Sequence, residues 1–360
     1  VQLTPPGRGA VATLLVDGPD ALSVAESLLR TKSTKNLAKY PVDRPIFAHF
    51  GGENGEEVIV RLRQACHGHL ASGTPKNSLS LELHCHGGFA VVQTIEKAFI
   101  DRGFLAVAWK QWAAQMETDP FAAAALASLA DACTERTAAI LLDQYRGALR
   151  TAFDEIKNAA QVDALLQRAA LGLHLTKLWR VVLAGAPNVG KSSLLNALAG
   201  YPRAIVHHTP GTTRDLVTVR TAFEGWPVEL CDTAGLGADD RLTDPIEQAG
   251  IELAQRRLAQ ADLAVLVFDS SRPWTVADQF LLEQHPQAIV IHNKADLPRA
   301  PGHCPDGTIL SAATGEGVEQ LPRRIAERLV PNPPPPGVAV PFTEDQVTRL
   351  RSLAQNLSRD

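Results

Sequence analysis

The chain has 360 residues, 45% of them hydrophobic and 21% charged, the make-up of an ordinary soluble protein with room for two or three domains, each burying a core. A formal net charge of −4 supplies no global attraction to nucleic acid, so any RNA contact needs a local basic patch. Five scattered cysteines (Cys66, Cys85, Cys133, Cys231 and Cys304) without a Cys-x-x-Cys pair suggest a reducing compartment. With no apolar signal core in residues 1–10 and no run long enough to span a bilayer, the expected location is cytoplasmic, away from membranes.

Residues 1–115 mix short apolar runs with turns. Val11-Ala12-Thr13-Leu14-Leu15-Val16 reads as a strand, and residues 20–30 as a helix capped near Gly18-Pro19-Asp20. A second strand spans residues 79–83 and ends at His84-Cys85-His86-Gly87-Gly88. Helical spacing then runs over residues 89–102 and stops at Gly103. This predicts an α+β N-terminal domain. Residues 116–177 form a central helical segment. Within it, residues 122–149 are rich in Ala and Leu without proline, and two long helices are expected. An α/β domain follows over residues 178–330. Pro331-Asn332-Pro333-Pro334-Pro335-Pro336 then opens a stiff extended linker over 331–342, and residues 343–360 suit one amphipathic helix with Thr343-Glu344-Asp345 at its start.

The densest information lies in Gly185-Ala186-Pro187-Asn188-Val189-Gly190-Lys191-Ser192, a GxxxxGKS phosphate loop. A chance glycine-rich turn would lack the apolar strand before it, residues 178–184, and the helix opening at Ser193 after it. Glycine lets the backbone close around phosphate oxygens, and the helix start adds partial positive charge. Lys191 can reach the outer phosphates, and the Ser192 hydroxyl can ligate Mg²⁺. Asp232-Thr233-Ala234-Gly235 ends a strand-like run; its carboxylate can hold Mg²⁺ through water, and the Gly235 N–H can sense a γ-phosphate. In Asn293-Lys294-Ala295-Asp296, the Asp296 carboxylate can accept both N1–H and the 2-amino group of guanine. Adenine lacks that donor pair, which argues against an ATPase. Ser311-Ala312-Ala313 supplies backbone N–H groups facing the guanine oxygen. Four elements in this order predict a site for GTP or GDP.

Beyond these motifs the chain resembles the tRNA modification GTPase MnmE (TrmE) family. The resemblance rests on Thr4-Pro5-Pro6-Gly7-Arg8-Gly9-Ala10, Leu81-Glu82-Leu83-His84-Cys85-His86-Gly87-Gly88, Pro187-Asn188-Val189-Gly190-Lys191-Ser192, Gly211-Thr212-Thr213-Arg214-Asp215 and Ile246-Glu247-Gln248-Ala249-Gly250-Ile251-Glu252. It covers residues 1–110 and 178–330 well and the central helices loosely; the GTPase motifs alone also admit Era-like or Der-like relatives. It implies a Ras-like α/β P-loop GTPase domain inserted between helical segments and preceded by an α+β N-terminal domain. That N-terminal domain would mediate homodimerisation and bind a tetrahydrofolate one-carbon derivative, with Arg8 as a contact or as a surface residue fixing its loop. Thr212 and Thr213 would join the nucleotide site, Thr213 as a further Mg²⁺ ligand. Leu236 stands where Ras-type enzymes carry a water-orienting Gln, and the resemblance offers two substitutes. One is K⁺, held by Asn188 and the loop at residues 207–210; the other is Glu247, to orient water, unless it is only a solvated helix charge. An MnmG-type flavoprotein and tRNA are the implied partners.

Two departures shape the expectation. The family's terminal Cys-x-Gly-Lys motif has no counterpart here, since no cysteine follows Cys304. Its RPGEFT-type segment is replaced by Trp109-Lys110-Gln111-Trp112-Ala113-Ala114-Gln115. The reading is thus a shortened member whose last helix is a remnant of the helical domain. Three roles follow: a GTPase tied to tRNA wobble-uridine modification, a paralogue that switches with GTP without modifying tRNA, or a folate-binding scaffold with a structural GTPase domain. Cys133, a conceivable substitute cysteine, is expected to be buried among alanines. Cys66, His67, His69, His84, Cys85 and His86 invite a zinc site but match no standard finger spacing, and a strand-to-helix turn explains the HCHGG run better. Trp109 and Trp112 suit packing more than stacking on RNA.

Overall fold

The computed structural model describes residues 1–5, 7, 9–31, 36–52, 55–64, 79–200, 218–232, 256–302 and 304–357. The expectations for Arg8, Cys66, His67, His69, residues 207–215 with Thr212 and Thr213, Thr233, Ala234, Gly235, Leu236 and Glu247 lie outside the described residues. The chain divides into two compact units, Val1–Ala127 and Ser128–Asp360.

In the first unit, alternation of apolar and polar residues builds a five-stranded antiparallel sheet in the order β1-β5-β4-β3-β2. Its strands are β1 (Val11–Val16), β2 (Leu29–Thr31), β3 (Pro45–Phe50), β4 (Glu56–Gln64) and β5 (Leu79–His86). The register sets Leu14 and Val60 on either side of Leu83, and these residues face α1 (Ala21–Leu28) and α2 (Phe89–Ile100) through Ala25, Ile95 and Phe99. Two boundaries differ from the sequence expectation. The first helix ends at Leu28, because Leu29–Thr31 pairs with Ala48–Phe50 of β3. The strand expected to end at residue 83 continues to His86, paired with Val11, because Cys85 still has a core position to fill.

The Ala-rich region forms three shorter helices, α4 (Pro120–Leu129), α5 (Glu135–Tyr145) and α6 (Ala148–Asp154), after α3 (Trp109–Met116). The expected pair of long helices fails for local reasons. Thr134 starts a new helix through a capping box with Thr137, and Gly147 adopts φ +103 between α5 and α6. Helices α7 (Ala159–Leu166) and α8 (Ala169–Leu173) follow. The proline-rich stretch does not run free. Gly337 N–H donates to Asp143 Oδ2 (2.7 Å), and the fully buried Gln144 donates to Val338 O (3.0 Å) and accepts from Val340 N–H (3.1 Å).

The remainder of the second unit is a six-stranded sheet in the order β11-β10-β9-β6-β8-β7. It comprises β6 (Trp179–Ala184), β7 (Thr218–Phe223), β8 (Trp226–Asp232), β9 (Leu263–Asp269), β10 (Ile289–Asn293) and β11 (Thr308–Ile309). Only the β7–β8 pair is antiparallel. Near-continuous apolar runs in β6, β8 and β9 reflect burial on both faces, as parallel sheets require. Among the described residues, helices α9 (Lys191–Ala199), α10 (Val276–Gln284), α11 (Leu321–Leu329) and α12 (Glu344–Leu357) accompany this sheet. From β6 the chain builds β7 and β8 on one side, then crosses to β9 on the other. This reversal opens a crevice at the carboxyl end of β6, where α/β sheets bind ligands.

Candidate nucleotide site

The loop after β6 fills that crevice. Gly185 has φ +150, and a Cβ there would stand 2.2 Å from Val267 O of β9. Gly190 has φ +96, and a Cβ would meet Asn293 Nδ2 at 2.2 Å. Both glycines are therefore required by close approach as well as by backbone angle. Asn188, exposed at the crown of the loop, is itself left-handed with φ +61. Helix α9 starts at Lys191, so its first-turn N–H groups and dipole face the loop.

Lys191 is 7% exposed, and its ammonium donates to Gly185 O (3.0 Å) and Ala186 O (2.8 Å). Burial pushes its pKa below the ordinary lysine value, and the nearby Asp232 carboxylate offsets part of that shift. The Ser192 hydroxyl donates to Asp232 Oδ2 at 2.5 Å. Asp232 is 1% exposed, and its buried Oδ1 has no hydrogen-bond partner among the described residues. A carboxylate with a spare buried oxygen beside a hydroxyl is the donor set of a hard, oxygen-ligated cation. Ser192 and Asp232 thus fit Mg²⁺.

On the other side, Asn293 braces two loops: its amide donates to Val189 O (2.8 Å), and its Oδ1 accepts from Ala312 N–H (2.9 Å). Ser311 Oγ donates to Asp296 Oδ1 and accepts from Thr314 N–H (3.2 Å). Asp296 is exposed, with carboxylate capacity left for two donors from a purine. Hydrogen bonds thus join the phosphate loop to Asp232 through Ser192 and to the loops carrying Asp296, Ser311 and Ala312 through Asn293; Asn188, Ser193, Lys294 and Ala313 adjoin these groups in the chain.

One contributor, Asp269, escaped the sequence reading. It accepts a hydrogen bond from Lys294, left-handed at φ +65, at 2.7 Å through Oδ2. Asp269 also accepts from Ser271 N–H and Oγ. Burial alone would raise its pKa, but the bonds from Lys294 and Ser271 hold the carboxyl below the usual range. The one available signal was an Asp closing a buried strand, which the β9–β10 register sets beside Asn293.

Elsewhere, Gly9 and Ala10 meet the residue that follows β5: Gly87 N–H donates to Ala10 O, and a Cβ at Gly87 would stand 2.2 Å from Gly9 O. Cys133 is exposed, not buried, because it falls in the turn before the Thr134 cap instead of inside a helix. Cys85 faces the core while His84 and His86 lie on the other face, bonded to Thr13 and Glu56. The Trp109 and Trp112 rings pack on each other, centroids 5.1 Å apart.

A glycine loop wrapped over the end of a largely parallel sheet, ahead of a helix that opens on a buried lysine, defines the Ras-like class of P-loop GTPases. Residues 180–294 match the 50S ribosome-binding GTPase family, and residues 2–110 match the N-terminus of the GTP-binding protein TrmE. The tRNA modification GTPase MnmE of Chloroflexus aurantiacus is 36% identical, over 91% of this chain and 80% of that protein. Its counterpart in Geobacillus kaustophilus is 30% identical, over 90% and 80%. Among solved structures, Aquifex aeolicus Era bound to GDP and aluminium fluoride is 27% identical over 44% of this chain and 59% of that one, with a TM-score of 0.34. The chain belongs to the MnmE family and is a GTP-hydrolysing enzyme. Among the described residues, no helix is long and apolar enough to cross a membrane.

Proposed function

We propose that the protein is a Mg²⁺-dependent, K⁺-activated GTP hydrolase acting in tRNA wobble-uridine modification. The observation that carries the reading is the Ser192–Asp232 contact with its spare buried carboxylate oxygen, beside the buried Lys191 ammonium. Lys191 and the loop N–H groups stabilise charge gathering on the phosphate oxygens as the terminal phosphoryl group departs. Ser192, Asp232 and Thr213 would hold Mg²⁺, which when bound neutralises the β- and γ-phosphates. Asn188 would hold K⁺ at the crown of the loop, supplying the positive charge that other GTPases take from an arginine. Leu236 cannot orient water, and Glu247 takes that task. Thr212, Thr233, Ala234 and Gly235 would serve the terminal phosphate, and Asp296 would select guanine together with Ser311, Ala312 and Ala313.

Around this centre, residues 1–115 serve as a dimerisation domain that binds a tetrahydrofolate one-carbon derivative near Arg8. Residues 116–177 and 343–360 frame the GTPase domain, 178–330, with 331–342 connecting. A cytoplasmic homodimer working with tRNA and an MnmG-type flavoprotein completes the proposal. Modified-nucleoside analysis of tRNA from a deletion strain tests it. The wobble-uridine modification should vanish, return with the wild-type chain and stay absent with Lys191→Ala. Unchanged nucleosides in the deletion strain, with GTP turnover intact in vitro, would leave a GTP-driven switch without tRNA chemistry.

A further inference from the structure

The β7–β8 hairpin is held from outside its sheet. Its turn is tight, with Glu224 at φ +48 and Gly225 at φ +81. Two residues at the start of α5, in the helical segment, grip it. Thr134 Oγ1 donates to Gly225 O at 2.7 Å while also capping α5. Arg136 Nη1 donates to Glu224 O at 2.6 Å, and its guanidinium lies 4.5 Å over the ring of Trp226, the first residue of β8. The Arg136 stem leaves no slack, since a Cβ at Gly225 would come within 3.0 Å of Arg136 Cβ. Both carbonyls of the turn and the first side chain of the strand are thus fixed by one helix end.

Strand β8 transmits that hold. Six of its seven residues are buried, and its backbone is paired with β6 and β7 on its two edges. A strand so constrained shifts as a unit, because sliding one residue would turn every side chain to the wrong face. Its far end, about 20 Å from the turn at ~3.3 Å per residue, is Asp232, bonded to Ser192. The base-reading side of the crevice, Asn293 to Asp296 and Ser311, sits at the end of β10 and on the loop after β11, on the opposite side of β6 from this hairpin.

We propose that Arg136 and Thr134 are positioning residues for GTP hydrolysis: the helical segment sets the Mg²⁺ side of the site through the β7–β8 turn. The same contact gives that segment a mechanical reading of the site, because coupling between two positions is reciprocal. The inference rests on Asp232 being a Mg²⁺-side residue. One hydrogen bond or cation–π contact of this kind is worth roughly a three- to tenfold change in an equilibrium.

The test uses the full chain with Arg136→Ala, Thr134→Val and Thr134→Ser, each scaled to its GDP-binding fraction. Two quantities are read: kcat for GTP, and the Mg²⁺ concentration that half-maximally slows release of a fluorescent GDP analogue. Arg136→Ala and Thr134→Val should raise the half-maximal Mg²⁺ and lower kcat, each roughly three- to tenfold. GDP affinity without Mg²⁺ should stay unchanged, and Thr134→Ser, which keeps the hydroxyl, should match wild type. Wild-type Mg²⁺ response in both disruptive variants would overturn the inference, even if their melting temperatures fell, since that loss is only structural. If Asp232→Ala retained the wild-type Mg²⁺ response, the underlying assignment of Asp232 would fail first, separately from the clamp.

Discussion

At the residue scale the proposed site divides into groups assigned to phosphate, on the loop and Asp232, and groups assigned to the base, around Asp296. Asp296 is exposed, tied by Ser311 through one oxygen, and poised to accept two donors. Asp296→Asn replaces an acceptor by a donor, so it should weaken GTP binding more than about tenfold and favour xanthosine triphosphate, whose ring carries an added carbonyl. Isothermal titration of both nucleotides into both proteins checks this; unchanged GTP affinity would show that Asp296 does not read the base. Asp269 makes a pH prediction. Its folded pKa is depressed, so its contribution is present above the unfolded carboxyl value near 4 and is lost as pH falls through the folded one. Asp269→Asn should therefore cost about 1 kcal/mol in urea unfolding at pH 7, and the gap from wild type should close below about pH 4. A gap that persists at low pH would mean that the loss is steric, not electrostatic.

At the element scale, what was legible in the sequence was what is local. The phosphate loop declares itself because glycine, lysine and serine do their work within eight consecutive residues, and β6 and α9 flank it as periodicity demands. Asn293 to Asp296 was equally readable. Strands β3 and β4 were not anticipated, because their outer faces mix Phe47 and Ile59 with Arg61 and Arg63, and only pairing with β5 makes the pattern intelligible. The Ala-rich run looked continuous because a Thr cap and one left-handed glycine weigh little against helical spacing sustained over residues 122–149. Gln144 was invisible for a different reason: its partners lie almost two hundred residues away. It is fully buried and satisfies both Val338 O and Val340 N–H. Gln144→Leu would leave those two groups unpaired, and the expected loss is about 2–4 kcal/mol in urea unfolding. A loss under about 0.5 kcal/mol, the size of a neutral surface change, would show that residues 337–342 hold their place by packing alone.

At the scale of the whole molecule, the first unit brings Gly9 and Ala10 against Gly87, the residue that follows β5. The second threads its GTPase sheet between helices on both sides in sequence, with residues 337–342 bonded back to α5. That insertion gives a nucleotide-driven change near Asp232 a short path into the helices. Leu236 leaves this GTPase without a water-orienting amide at that position, while Asn188 stands left-handed and exposed on the loop. The most direct measurement is steady-state GTP turnover by the full chain in KCl and in NaCl at equal ionic strength and saturating Mg²⁺. The rate should be at least about tenfold higher in KCl, with most of that difference removed by Asn188→Ala. Equal rates in the two salts would contradict K⁺ activation.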